Sequence, residues 1–504
     1  MKKIVSKVLL TLLLMDISTL AFNVQPVKAD YTWSATIYIR GDGSIEPADA
    51  PISTVDSITY TLTDNIVGDV PEASAIVVQR NNIVVDGAGY SVQGTGSGTG
   101  INLTARGNVT IKNTEVNAFS YGIYLESSSS CDLSKNSLAN NTHGFYLKGA
   151  TNNNISQNNA ADNVWGIELW YSSNNTLSEN SIRRTGSGIR LYDSSYNIIS
   201  RNNMTDNTST SGISLTFARH NIIFGNNITN NPDGIRLYDS SNNSITENNI
   251  TNNGWGPVGM WGGIRIRYEF SNNSIYHNRF INNKYQVVFE TSGGYTNFWD
   301  NGYPSGGNYW SDHVTVDDYS GIDQDESGSD GIVDEPYIID YSNRDNFPFK
   351  GPISFFNAGT WDETTYYVHT VSNSTVSGFY FNPDEGAMIR FNVTGVDGTP
   401  GFSRVAIPKE LLWVENGWVV LVDDEPVVPT VTEDADFTYL YFTYSHSTRT
   451  VEIQGTNVIP EFPTWIPLLL LLSVISVTLV IYKRRLLKTP PHQRHSARSK
   501  GPRS

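Results

Sequence analysis

Between Gly100 and Phe280 one four-residue phrase returns at a nearly fixed interval. It reads Gly-Ile-Asn-Leu at Gly100 and recurs in varied form at Gly122, Gly144, Gly166, Gly188, Gly212, Gly234 and Gly263. Most steps are 22 residues, one is 24 and one is 29. A period in this range means stacked repeats. Two aliphatic columns keep the same step: Ile111, Leu133, Ile155, Leu177, Ile199, Ile223, Ile245, Ile275, and Val116, Leu138, Ala160, Ile182, Met204, Ile228, Ile250, Phe280. Each repeat therefore carries three short apolar patches separated by polar residues. No patch is long enough for a helix, and the Ile-x-Leu alternation is that of a strand. Three strands per turn, each stacked on its own copy, make an all-β parallel β-helix of about nine coils, rising ~4.8 Å per coil. A leucine-rich horseshoe has a similar period but requires denser leucines and a helical return.

Asparagine marks the coil corners. One column is Asn153, Asn175, Asn197, Asn221, Asn243, Asn273; another is Asn136, Asn158, Asn180, Asn202, Asn226, Asn248, Asn278. Such columns are expected to form amide ladders from coil to coil, with Asn suited to left-handed turns. The only cysteine, Cys131, falls where the first ladder would begin, which reads as a buried structural thiol. The net charge of −16 argues against a nucleic-acid partner.

The rest of the chain divides around the repeat. Residues 1–29 have the positive start, apolar core and Val27-Lys28-Ala29 end of a signal peptide. Residues 30–99 hold short strand patterns and are assigned to an N-terminal cap, because a β-helix has an open end. The β-helix spans 100–300, and extra residues between Met204 and Gly212 and between Ile250 and Gly263 widen one turn. An acidic closing segment covers 301–350. Within it Asp323, Asp325, Ser327 and Asp334 match ligand spacing of a calcium loop, so Ca2+ is an expected metal there. The other reading is an acidic solvated loop. Alternating runs over 351–456 read as a small β-sandwich. A linker, 457–464, leads to an apolar, uncharged stretch at 465–482, long enough for a transmembrane helix. The basic tail, 483–504, is then cytoplasmic and the bulk of the chain extracellular.

The repeat resembles the right-handed parallel β-helix repeat family, in particular the NosD-like proteins and the carbohydrate-binding and sugar hydrolysis domains. The phrases Trp299-Asp300-Asn301-Gly302-Tyr303-Pro304 and Ser329-Asp330-Gly331-Ile332-Val333-Asp334-Glu335-Pro336-Tyr337 are similar to those closing archaeal surface members. Pro460-Glu461-Phe462 before an apolar span and basic cluster resembles an archaeal C-terminal sorting signal. The resemblance implies a right-handed β-helix on a membrane-anchored cell-surface protein. It carries little about activity, because this fold hosts lyases, hydrolases, adhesins and inert scaffolds.

Strand alternation turns two positions of each Gly-Ile-x-Leu-x phrase outward. They display Trp170, Tyr192 and Tyr238 beside Glu168, Arg190, Arg236 and Arg265. Rings stack on sugar faces and guanidinium forks bind carboxylate or sulfate. The expectation is a face that binds an anionic polysaccharide or cell-envelope glycan. The alternatives are a structural or adhesive surface protein, and a polysaccharide lyase or glycoside hydrolase. Copper, suggested by the family's namesake, would need His, Met or Cys clusters, and the histidines are scattered.

Overall fold

A computed structural model describes residues 31–459, apart from 34, 69–72, 256–258, 260, 269–270 and 291–294, together with residue 478. The expected signal peptide, transmembrane span and basic tail lie outside the described residues. Among those described, no helix is long and apolar enough to cross a membrane. The chain divides into two units: residues 1–355 with 369–373 and 402–405, and the remainder.

The first unit is a solenoid of three parallel sheets. The Gly-Ile strands form one of them. Tyr121–Glu126, His143–Lys148, Trp165–Trp170, Ser187–Tyr192, Ser211–Thr216, Asp233–Tyr238 and Ile264–Arg267 pair in that order. The register is the one the sequence period dictates, with Ile123 beside Phe145, Phe145 beside Ile167, and Ile167 beside Ile189. The two aliphatic columns form the other sheets, and their side chains have 0–1% exposure. This is the expected all-β solenoid.

The helix begins earlier than expected. Ser74–Val78 pairs in parallel with Thr99–Asn102, Ile83–Asp86 with Val109–Lys112, and Ser91–Gln93 with Glu115–Asn117. Most of 30–99 is therefore coil rather than cap, and about ten coils stack, not nine. Its loops have unequal lengths and it lacks the Gly-Ile phrase, so the period does not show there. End protection falls to two antiparallel pairings, Ile37–Ile39 with Ile45–Glu46 and Ile52–Ser53 with Thr59–Leu62.

Each corner uses a pair of residues. The first adopts left-handed backbone, as at Asn152, Asn174, Gln157, Glu179, Asp162 and Arg184 (φ +50° to +59°). The second is the ladder residue. The ladder Asn is thus not itself the left-handed residue, and the residue before it takes that strain. In each ladder the Nδ2 of one Asn donates to the Oδ1 of the next coil, for example Asn153 to Asn175 at 3.0 Å and Asn158 to Asn180 at 3.0 Å. A third ladder, which sequence reading did not single out, occupies the remaining corner. It links Asn141 to Asn163 and, after an interruption at Thr185, Asn207 to Asn231 and Asn231 to Asn253. Cys131 does occupy the first rung of its ladder. It is buried and its backbone N–H donates to Asn153 Oδ1 at 2.9 Å.

The closing segment ends two ladders. Asn297 N–H donates to Asn343 Oδ1 at 3.0 Å, and Asn308 N–H donates to Asp345 Oδ2 at 2.7 Å. Trp310 continues the core by stacking on Phe280, with ring centres 4.2 Å apart. Tyr337 stacks on the far side of Trp310 at 4.2 Å. A stack of rings is thus laid across the open end of the apolar core.

The second unit is built from antiparallel sheet, as the alternating runs predict. Thr375–Phe381 pairs with Met388–Thr394, which pairs with Thr448–Gln454. Ile389, Phe391, Val393, Val451 and Ile453 are its fully buried residues in those strands.

Candidate functional site

The glycine that opens each repeat shapes the face. A Cβ on Gly122 would lie 2.6 Å from the carbonyl oxygen of Gly144, and one on Gly144 would lie 2.5 Å from that of Gly166. Only glycine allows coils to approach so closely there. At this point strict alternation fails. Pairing skips the glycine, and the residue before it stands on the outer face with the x positions. The face therefore has three columns, not two. The extra column reads Tyr121, His143, Trp165, Ser187, Ser211, Asp233. Sequence reading missed it because a period of two places those residues inward. The signal available was the run of large polar and aromatic residues just before successive glycines.

Two clusters form on this sheet. The first is centred on Glu168, which sits on the outer side but is only 1% exposed because its neighbours cover it. Trp170 Nε1 donates to Glu168 Oε1 at 2.8 Å, and Arg190 Nη1 donates to the same oxygen at 2.9 Å. His143 Nδ1, from the preceding coil, lies 2.7 Å from Oε2, a short contact off the line of an ideal hydrogen bond. Burial alone pushes the carboxyl up, but His143, Trp170 and Arg190 together hold it below the ordinary glutamate value. Aromatic rings surround the group. Tyr121 stacks on His143 at 4.9 Å, Tyr146 meets the imidazole edge-on at 5.0 Å, and Tyr192 stacks on Trp170 at 4.3 Å. The Arg190 guanidinium lies over Trp165 at 5.0 Å.

The second cluster begins three coils beyond Glu168, roughly 14 Å at strand spacing. It contains Asp233, Arg236, Tyr238, Arg265 and Arg267. Asp233 is fully buried, and burial pushes its carboxyl up to about 7. Arg265 Nη1 is 3.4 Å from it, while Arg265 Nε and Arg267 Nε share Glu290 at 3.1 Å each. Arg236 is half-buried, and among the described residues no carboxylate lies within ion-pair distance of it. Burial, with Arg265 beside it, lowers its pKa. The seven residues expected to bind glycan thus fall into two groups: Glu168, Trp170, Arg190 and Tyr192 in one, Arg236, Tyr238 and Arg265 in the other. Ser214 and Thr216 lie on the strand between them.

Two of the residues expected to hold calcium, Ser327 and Asp334, have described contacts. Ser327 lies in a short hairpin, Tyr319–Ser320 against Glu326–Ser327. The Asp334 carboxylate accepts the backbone N–H groups of Asp318 and Tyr319 at 3.1–3.2 Å. Among the described residues, no group of three or more His, Cys, Asp or Glu is gathered to hold a metal ion. The histidines have other roles: His143 faces Glu168, His220 stacks on Tyr196, and His313 Nε2 meets the Glu335 carbonyl.

Glu168 and Asp193 lie on neighbouring coils but are not arranged as a pair of glycosidase carboxylates. Glu168 is bound by three neighbours, and Asp193 is an exposed left-handed corner residue with φ +46°.

Among solved structures the chain is similar to the Azotobacter vinelandii mannuronan C-5 epimerase AlgE4 A-module, at 15% identity over 56% of this chain and 85% of that one, with a TM-score of 0.40. It is also similar to the periplasmic alginate epimerase AlgG, at 16% identity over 48% and 80% with a TM-score of 0.32. A third is the alginate lyase from Paenibacillus sp. str. FPU-7, at 14% identity over 45% and 91% with a TM-score of 0.36. These likenesses concern the β-helix alone. No curated protein matches the chain. The family described as periplasmic copper-binding protein (NosD) matches residues 34–209 and 157–315, more than half of the sequence, and the chain belongs to that family.

Proposed function

We propose that the Gly-Ile sheet binds an anionic polysaccharide, and that this is the work of the first unit. One observation carries the reading: three arginines, Arg236, Arg265 and Arg267, gather around two carboxylates, Asp233 and Glu290, and the half-buried Arg236 makes no ion pair among the described residues, in a chain of net charge −16. Crowding cations on a low-dielectric face is unfavourable until an anion joins them. Stacked rings upstream, Trp170 on Tyr192 and Tyr124 on Tyr146, offer flat platforms for sugar rings. A rigid parallel sheet holds both features in one line, so little ordering is required on binding. Within this proposal the face works outside the cell, held at a membrane.

For copper, named in the family's description, no group of three or more His, Cys, Asp or Glu is gathered among the described residues.

The test is an array of neutral, uronate-containing and sulfated polysaccharides. Arg236→Gln removes a charge-assisted contact and should weaken binding of uronate or sulfated polymers by about 10- to 100-fold. Tyr192→Ala should cost up to about tenfold. Undiminished binding by both variants, or equal binding of neutral polymers, would sink the proposal.

A further inference from the structure

The Glu168 cluster contains more than a binding platform needs. A carboxylate is buried beneath the face at the cost of desolvation, and it is aimed at one nitrogen of an imidazole. A carboxylate oxygen 2.7 Å from Nδ1 favours the tautomer with its proton on that side. His143 Nε2 is then left as a base, and it has no partner among the described residues. A carboxylate behind a histidine also stabilises the imidazolium that forms when the ring accepts a proton. Beside it, Arg190 uses Nη1 on Glu168, and its other two guanidinium nitrogens have no hydrogen-bond partner among the described residues. Tyr146 meets the imidazole edge-on. Burial pushes its phenol up to about 12, so it remains a proton donor at neutral pH. A ring set that merely packed would not require a buried charge in its floor.

We propose that this cluster is a catalytic site for proton transfer at carbon, in which His143 Nε2 removes the proton next to the carboxylate of a uronate residue in the bound chain. It rests on the reading that an anionic glycan lies on this face. In the step, the C5–H bond breaks and the proton passes to Nε2. The electron pair moves into the carboxylate, giving an enediolate whose extra charge is met by Arg190. The imidazolium is compensated by Glu168 below. The enediolate then either takes a proton back at C5 or expels the oxygen at C4. In the second case a C4–C5 double bond forms and the departing oxygen takes a proton from Tyr146. Both routes conserve atoms and electrons and need no oxidant. His143 and Tyr146 are the catalytic residues, and Glu168 is a positioning residue.

The experiment incubates the full chain with a panel of polyuronates in deuterated water. Deuterium at C5 is followed by NMR, and unsaturated ends by ultraviolet absorbance, with polymer binding measured in parallel. Deuterium uptake or unsaturated ends are expected. His143→Ala should lower the rate by about 10²–10⁴-fold with binding retained. Glu168→Gln should slow the reaction and shift the acid limb of its pH profile, which a purely structural glutamate would not do. Should Glu168→Gln fail to fold, Tyr146→Phe carries the test, with loss of unsaturated ends expected. Binding of polyuronate with neither deuterium uptake nor unsaturated ends overturns this proposal and leaves the binding reading standing. No binding of any polymer overturns both. Full activity in a folded His143→Ala protein overturns the assignment of the base.

Discussion

Asn175→Ala isolates what one rung of a ladder contributes. Asn175 is 1% exposed and sits in the middle of its column. Its Oδ1 accepts the Asn153 backbone N–H at 2.9 Å and Asn153 Nδ2 at 3.0 Å. Its Nδ2 donates to the Ala150 carbonyl at 3.0 Å and to Asn197 Oδ1 at 3.2 Å. Alanine would remove these bonds and a further one from Nδ2 to the part-buried Ser173 carbonyl at 3.2 Å, while the backbone N–H of Asn175 keeps Asn197. Two buried backbone groups, the N–H of Asn153 and the C=O of Ala150, would lose these partners. Each orphaned buried group costs about 1–3 kcal/mol, so the loss should be about 2–6 kcal/mol. Urea denaturation reads it as a fall in midpoint multiplied by the m-value. Because a solenoid is stabilised by nearest-neighbour contacts, the transition should also broaden as the coils on either side uncouple. The control is Asn203→Ala, an exposed strand residue, expected within about 0.5 kcal/mol of wild type. A loss below about 1 kcal/mol for Asn175→Ala, or one no larger than the control, would refute the claim that the ladders hold the corners.

Two further outcomes follow from the closing segment. Asp345 is fully buried, and burial raises its carboxyl from 3.8 to about 7 although Asn308 N–H and Trp310 Nε1 donate to it. The folded state then keeps a proton that the unfolded chain has released between those values. Asp345's contribution to stability is therefore fully present below about 4 and is lost as pH rises to about 7. Melting temperatures at pH 5 and pH 8 should differ less in Asp345→Asn than in wild type, and an unchanged difference would refute the assignment. For calcium, Asp334 accepts the N–H groups of Asp318 and Tyr319 and keeps further lone pairs for a cation. Calorimetric titration tests the acidic loop: heat of binding that Asp334→Asn abolishes makes it a calcium site, and no uptake leaves it an acidic solvated loop.

The sequence announces this solenoid wherever its coils are equal in length. From Gly100 onward the Ile columns, the Asn columns and the position of Cys131 all appear at one spacing, and the strand register reproduces it. Before residue 100 the same stacking is present but the loops vary, so Ser74–Val78 and Ile83–Asp86 look like isolated strands. The third ladder hid among many other asparagines, because Thr185 breaks it and Asn207 and Asn253 stand beside lengthened turns. For the site, the outward x positions were legible from alternation alone. Tyr121, His143, Trp165 and Asp233 were not, because the close contact at each glycine resets the alternation. That Glu168 and Arg265 would be covered by neighbours depends on coil-to-coil side-chain contacts, which no local pattern encodes.

The ladders also give the rod a sense. Along the run Asn153, Asn175, Asn197 each side-chain nitrogen donates to the side-chain oxygen of the Asn in the coil after it. The amide dipoles therefore add rather than cancel, with the positive end toward the later coils. The two ends ask for opposite chemistry. At the earlier end the ladders take donors, the backbone N–H groups of Thr114, Phe119 and Cys131. At the later end they finish on acceptors, Gln286, Asn343 and the carboxyl of Asp345. Any piece grafted onto such a rod must match the end it joins, and two rods could continue one another only head to tail.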